Sequence, residues 1–202
     1  MLTPVLLTIS AVVLPGLLSS PTRDCQFGPL GDPAADARAL ARFERAVNDY
    51  AGLHRRLVRG WPPMWFISDL EQVEEAAREF RAMLRDARPQ AAQGGFFTPG
   101  IAEILRFRLA RALRERSIDL QALTAPVDEA ETDGWWTPVV NERLPWNGLG
   151  TLQPLLETLP PLPFELEYRL IGRDLVLLDV RANMVVDVLD LAVPTVRYLD
   201  SD

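Results

Sequence analysis

The chain has 202 residues, of which 48% are hydrophobic and 24% charged, with a formal net charge of −7. These values are typical of one globular domain, and they exclude a mostly disordered chain or a protein with many membrane spans. Every basic residue except the single histidine is an arginine, which we attribute to codon usage, and the lack of lysine excludes Schiff-base chemistry.

The first predicted element is an apolar segment from Leu2 to Leu18. It is too short and too interrupted for a transmembrane helix of about 20 residues, but it has the length of a signal-peptide core. No arginine precedes it and the cleavage position is poor, so an uncleaved anchor or a misassigned start codon stays open. We expect residues 1–20 to be a signal peptide or N-terminal anchor, and the protein to be periplasmic or secreted.

Residues 21–202 are predicted to form a single domain that begins with three amphipathic helices within residues 32–117. The first opens at Asp32 with Pro33 behind it, the second at a capping box of Ser68 and Glu71, and the third at Thr98. Apolar residues follow the three-four spacing of a helix face. In the first helix they are Leu40, Phe43, Val47, Tyr50, His54 and Leu57. We expect an antiparallel three-helix bundle.

Residues 118–164 are rich in proline and tryptophan and show little periodicity. We predict an irregular segment that wraps over the bundle, with one short helix between Thr151 and Thr158. From residue 165 to 193 the pattern alternates, with turns at Gly172-Arg173 and Arg181 to Asn183. This predicts a three-stranded antiparallel β-meander with one face on the helices, and hence an α+β fold.

Two phrases carry a resemblance to a group of proteins. The run LPPLPFELEYRLIGRDLVLLDVRANMVVDVLDLAVP, Leu159 to Pro194, resembles the ending of exported bacterial proteins of unknown function. In that group a helical region with a phrase like GGFFTPGIAEILR, here Gly94 to Arg106, comes before the meander. The resemblance implies export and this fold, and it implies no activity.

The sequence offers few residues for a metal site or for nucleophilic catalysis. His54 is the sole histidine and lies on an apolar helix face, so we interpret it as a core residue. Cys25 is the sole cysteine, which excludes an intramolecular disulfide. The acidic stretch from Glu129 to Gly134 lacks the closing glutamate of an EF-hand loop. We therefore predict no metal site, no cofactor and no catalytic residue.

Carboxylates on the predicted strands are the alternative source of chemistry. Asp174, Asp179, Asp187 and Asp190 could supply a pair for glycoside hydrolysis. Alternation normally places such residues on the solvent face of a sheet, where Arg169, Arg173 and Arg181 could pair with them. We expect salt bridging rather than catalysis.

The tryptophans give the clearest indication of binding. Trp135, Trp136 and Trp146 lie in proline-containing loops of the kind that stack on sugars or peptides, and we predict them as ligand-binding residues. Trp61 and Trp65 flank two prolines in the same manner. The alternative interpretation is that all five rings cap the ends of the bundle.

These observations favour a non-catalytic binding or interaction module of the cell envelope, with an unknown protein or envelope ligand as partner. A carboxylate-based glycan hydrolase and a purely structural envelope component are the alternatives. Residues 1–116 have 16 arginines and 13 acidic residues, whereas residues 117–202 have 5 and 15. We expect the arginine faces to meet carboxylates of the acidic half, with no nucleic-acid partner and no membrane contact beyond the N-terminal segment.

Overall fold

A computed structural model describes residues 32–59, 69–116, 137–145 and 153–193 of the chain. In chain order these residues form α1 Pro33–Leu57, α2 Leu70–Ala87, α3 Pro99–Arg116, α4 Gln153–Leu156, β1 Leu166–Ile171, β2 Asp174–Asp179 and β3 Met184–Leu189. The α+β class is confirmed. The short helix predicted between Thr151 and Thr158 is present as α4. The antiparallel arrangement of the three long helices as a bundle stays a prediction. Leu155 and Leu156 of α4 are buried in the same core, against α3.

The ends of the first two helices follow from capping chemistry. Asp32 caps α1, where its carboxylate accepts a hydrogen bond from the Ala34 amide at 2.9 Å, as predicted. The cap of α2 is Asp69, which accepts from the Glu71 amide at 3.0 Å, so the prediction of Ser68 as the cap is wrong. A carboxylate at this position also interacts favourably with the positive end of the helix dipole.

The three strands pair antiparallel in the order β1-β2-β3, which confirms the predicted meander. Gly172, in the turn between β1 and β2, has a φ of +57°, a conformation that glycine adopts without strain. One face of the sheet shares a core with α1, α2 and α3. The strand residues on this face are Leu166, Tyr168, Leu170, Leu175, Leu177, Met184, Val186 and Leu189.

A β-bulge interrupts the pairing of β2 with β3. Leu177 lies opposite Asp187, but the next pair is Leu178 with Val185, which leaves Val186 as the extra residue. Because of this insertion, Val186 and Asp187 both face the helices, where strict alternation would place them on opposite sides. The bulge therefore directs a carboxylate into the core.

Residues 137–145 pair with the free edge of β3 and cover part of the second face of the sheet. The Asn141 amide donates to the Val185 carbonyl at 2.8 Å, and the Val185 amide donates to the Glu142 carbonyl at 2.9 Å. Leu144 packs into a second apolar cluster with residues of β2 and β3. This part of the predicted wrap lies on the sheet, with Arg143 reaching Glu74 of α2 at 2.9 Å, because both faces of β2 and β3 are apolar and need cover.

Candidate functional site

Asp179 is fully buried and joins α1 to the end of β2. Its Oδ2 accepts a hydrogen bond from the Tyr50 hydroxyl at 2.7 Å and lies 2.7 Å from Nδ1 of His54. Its Oδ1 accepts from the Ala182 amide at 2.8 Å. A carboxylate only accepts, so the proton between Asp179 and His54 resides on Nδ1 when the aspartate is ionised. Burial and the charge of Asp179 raise the pKa of Tyr50 well above its usual value of 10.

Asp187 is the second fully buried carboxylate, and it binds the loop between α2 and α3. Its Oδ1 accepts from the amides of Gly94 and Val188 at 2.7 and 2.8 Å. Its Oδ2 accepts from the amides of Phe96 and Phe97, both at 2.7 Å. Four amides converging on one carboxylate fix the backbone of the loop and of β3 itself.

The loop held by Asp187 places two aromatic rings against α1. Phe97 stacks on Phe43 with 6.2 Å between ring centroids, and Phe96 packs edge-on against Tyr50 at 5.9 Å. Phe97 is buried in the core, whereas Phe96 is only partly buried. The buried carboxylate thus sets the position of a ring at the protein surface.

Arg88, at the end of α2, lies against these rings. Its guanidinium carbon is 5.0 Å from the centroid of Tyr50 and 5.6 Å from that of Phe96, both within cation–π range. One nitrogen, Nη2, donates to the Val186 carbonyl at 3.4 Å. Burial lowers the pKa of Arg88, partly offset by Tyr50 and the buried aspartates.

An open groove lies beside Arg88, between α1 and the end of α2, with a cavity volume of about 410 Å³. It combines two arginines, one carboxylate, two aromatic rings and aliphatic side chains. They are Ala46, Asp49, Tyr50, Leu53, Arg56, Ala87, Arg88 and Phe96. The volume is that of a small ligand site or of one or two side chains of a partner. Hydrogen bonds to the sheet fix three of these residues. The Tyr50 hydroxyl donates to Asp179, the Arg88 guanidinium to the Val186 carbonyl, and the Phe96 amide to Asp187.

Other arginines attach the helices to the sheet through main-chain carbonyls. Arg81 is buried and donates to the carbonyls of Ala182 and Asn183 at 2.7 and 3.1 Å. Arg106 donates to the Asp190 carbonyl at 3.0 Å. Burial lowers the pKa of Arg81. Both carbonyls accept from Nη1 of Arg81, while its Nη2 lies 3.7 Å from Glu74, so one planar guanidinium serves both contacts.

Among the described residues, the expected contact of α1 arginines with carboxylates of the acidic half is seen at Arg55 alone. Arg55 contacts Glu165 at 2.8 Å. Five other arginines at this end of the chain are exposed to solvent, namely Arg38, Arg42, Arg45, Arg56 and Arg59. The acidic half is held instead by the carbonyl contacts described above and by apolar packing.

The predicted site residues differ in outcome. Trp135, Trp136 and Trp146 lie outside the described residues, as do Trp61 and Trp65. His54 is a core residue, packed edge-on against Phe80 at 4.8 Å between ring centroids. Asp179 and Asp187 do not lie on the solvent face, and their partners are α1 side chains and loop amides, so that prediction is wrong for both.

The arrangement offers little scope for acid–base chemistry in the part of the chain that the structure describes. Asp179 and Asp187 have no solvent exposure, and both oxygens of each are hydrogen-bonded. No three histidine, cysteine or acidic side chains among the described residues converge as a metal site would require. Within the same ranges, no helix combines the length and hydropathy needed to cross a membrane.

Sequence reasoning missed the groove because Arg88 continues the helix spacing of Arg81 and Arg85, and its ring partners Tyr50 and Phe96 are not its neighbours in sequence. One signal was available. Tyr50 and His54 are one turn apart on the apolar face of α1, and two polar groups there require a buried acceptor. Comparison of the chain with protein-family models, curated proteins and solved structures found no significant match.

Proposed function

We propose that the chain is an exported bacterial protein that serves as a non-catalytic binding or interaction module of the cell envelope. The observation that supports this best is the groove between α1 and the end of α2. It presents Arg56, Arg88 and the partly buried Phe96, and the backbone of Phe96 is fixed by the buried Asp187, as a preorganised binding surface requires. Export rests on the apolar segment from Leu2 to Leu18.

The glycan hydrolase alternative needs two carboxyl groups that reach a substrate from opposite sides of a cleft. The strand carboxylates Asp179 and Asp187 are buried and saturated with hydrogen bonds, which argues against their use in catalysis. The structural-component alternative requires no cleft, and the open groove argues against it.

A thermal-shift screen of the chain from Pro21 onward against glycan fragments, divalent ions and envelope extracts tests this proposal. We expect a stabilising ligand whose effect is lost in Leu53→Glu, a change inside the groove. Val139→Glu is the matched control, because Val139 is exposed and lies outside the groove. A ligand whose effect is equal in both variants, or turnover of a glycan fragment, would contradict the proposal.

A further inference from the structure

One side of α1 carries a row of solvent-exposed arginines, which we name the arginine face: Arg38, Arg42, Arg45, Arg56 and Arg59. The first four follow a three-four spacing that continues through Asp49 and Gly52, so they lie on one side of α1, and Arg59 follows just beyond its end. From Arg38 to Arg56 the row extends about 27 Å, at 1.5 Å per residue.

Within the described ranges, few carboxylates pair with the arginine face. Arg38 lies 3.4 Å from Asp32, and the other four form no ion pair with any residue that the structure describes. Like charges three and four residues apart repel each other on a helix. An anionic partner would relieve this repulsion, so the charge pattern favours binding of an anion.

The arginine face continues into the groove through Arg56. A methyl group added at Gly52 would lie 3.5 Å from Nη1 of Arg56, so this arginine lies across the glycine and lines the groove. Leu53 and Phe96 add apolar surface there, beside Arg88. A ligand that follows the arginine face would reach an apolar contact at one end.

We propose that the arginine face and the groove together dock an extended acidic segment of a partner protein, with one apolar side chain seated in the groove. This inference rests on the proposed binding function. A strand rises about 3.3 Å per residue, so about eight residues would span the face. The planar guanidinium pairs with carboxylates through two parallel hydrogen bonds.

Two observations favour a peptide over other anions. Asp49 interrupts the row, and a peptide can place a neutral residue opposite it, whereas the evenly charged backbone of a nucleic acid cannot. A membrane-surface helix needs large apolar residues beside its cations. The exposed large apolar residues of the described chain lie elsewhere, at Val139, Phe164, Val180 and Leu191.

Fluorescence anisotropy of the full chain with a labelled peptide of glutamate pairs separated by leucines tests the inference. We expect Arg42→Glu/Arg45→Glu to weaken binding by about tenfold, because two exposed arginine–carboxylate contacts with the peptide become repulsive. The control Arg78→Glu/Arg111→Glu makes the same charge change at exposed sites on α2 and α3 and should change binding little. Replacing the leucines of the peptide by serine should weaken binding to the wild type but not further weaken binding to Leu53→Glu.

The inference would be overturned if the two double variants weakened peptide binding equally, or if the wild type did not bind the peptide. Tighter binding of phosphatidylglycerol vesicles or of an oligonucleotide, lost in Arg42→Glu/Arg45→Glu, would show a different class of partner and overturn it too. The proposed function has a separate test. If a ligand from the thermal-shift screen depends on Leu53 but not on Arg42 and Arg45, the groove function stands and the acidic partner is excluded.

Discussion

Replacing Asp187 by asparagine tests whether the buried carboxylate holds the loop between α2 and α3. Each carboxylate oxygen accepts two main-chain amides. An asparagine keeps one oxygen and turns an amino group toward the other two donors, whichever way it is oriented. Two buried N–H groups then lack an acceptor, at about 1–3 kcal/mol each, so we expect a loss of about 4 kcal/mol in the free energy of unfolding.

Chemical denaturation in urea, followed by circular dichroism, measures this loss. A decrease of about 4 kcal/mol is a large part of the roughly 5–15 kcal/mol typical of a domain and corresponds to about 8–16 °C in Tm. Asp190→Asn is the matched control, because Asp190 is exposed and its Oδ2 accepts from the Gln93 side chain. If both variants lose the same small amount, below about 1 kcal/mol, the reasoning about Asp187 is refuted.

Three further predictions concern the surroundings of these carboxylates. The pKa values of Tyr50 and Tyr168 are raised by burial, so above about pH 10 the unfolded chain releases these protons first and stability falls. Tyr50→Phe should reduce the loss of unfolding free energy by about 1.4 kcal/mol per pH unit above about pH 10. If the free energy of unfolding falls equally steeply with pH in the variant, Tyr50 is not the cause of the alkaline destabilisation. Arg81→Lys should cost about 1–2 kcal/mol in urea denaturation, because the ammonium can still donate to the two carbonyls but loses the second guanidinium nitrogen, which lies 3.7 Å from Glu74. Exposed Arg38→Lys should cost little, and equal losses would contradict the argument. Gly94→Ala should lower the free energy of unfolding by about 1–2 kcal/mol, since its φ of +80° disfavours any side chain although no atom blocks one, and a neutral result would show that the loop can relax.

The apolar face of α1 and the three strands could be predicted because their signals are local. Phe43, Val47 and Tyr50 repeat at helix spacing, and Gly172 marks a turn between two alternating runs. The spacing of neighbours along the chain decides both features, so no knowledge of distant contacts is needed.

The burial of the strand aspartates could not be predicted in this manner. Asp179 shares the face of Leu175 and Leu177, but Val176 and Leu178 are equally apolar, so alternation does not identify the inner face of β2. For Asp187 the inner face depends on the bulge at Val186, and no glycine marks that position. A shift of one residue in pairing is decided by tertiary packing.

The buried carboxylates also bear on the order in which the chain folds. Tyr50 and Asp179 are 129 residues apart, and Gly94 and Asp187 are 93 apart. Contacts of such sequence separation slow folding, because long loops must close before the contacts form. During synthesis α1 and α2 leave the ribosome long before β2 and β3, so their polar side chains and loop amides lack their acceptors until the meander has been made. We therefore expect the helical region to acquire its native core late, in one step with the sheet.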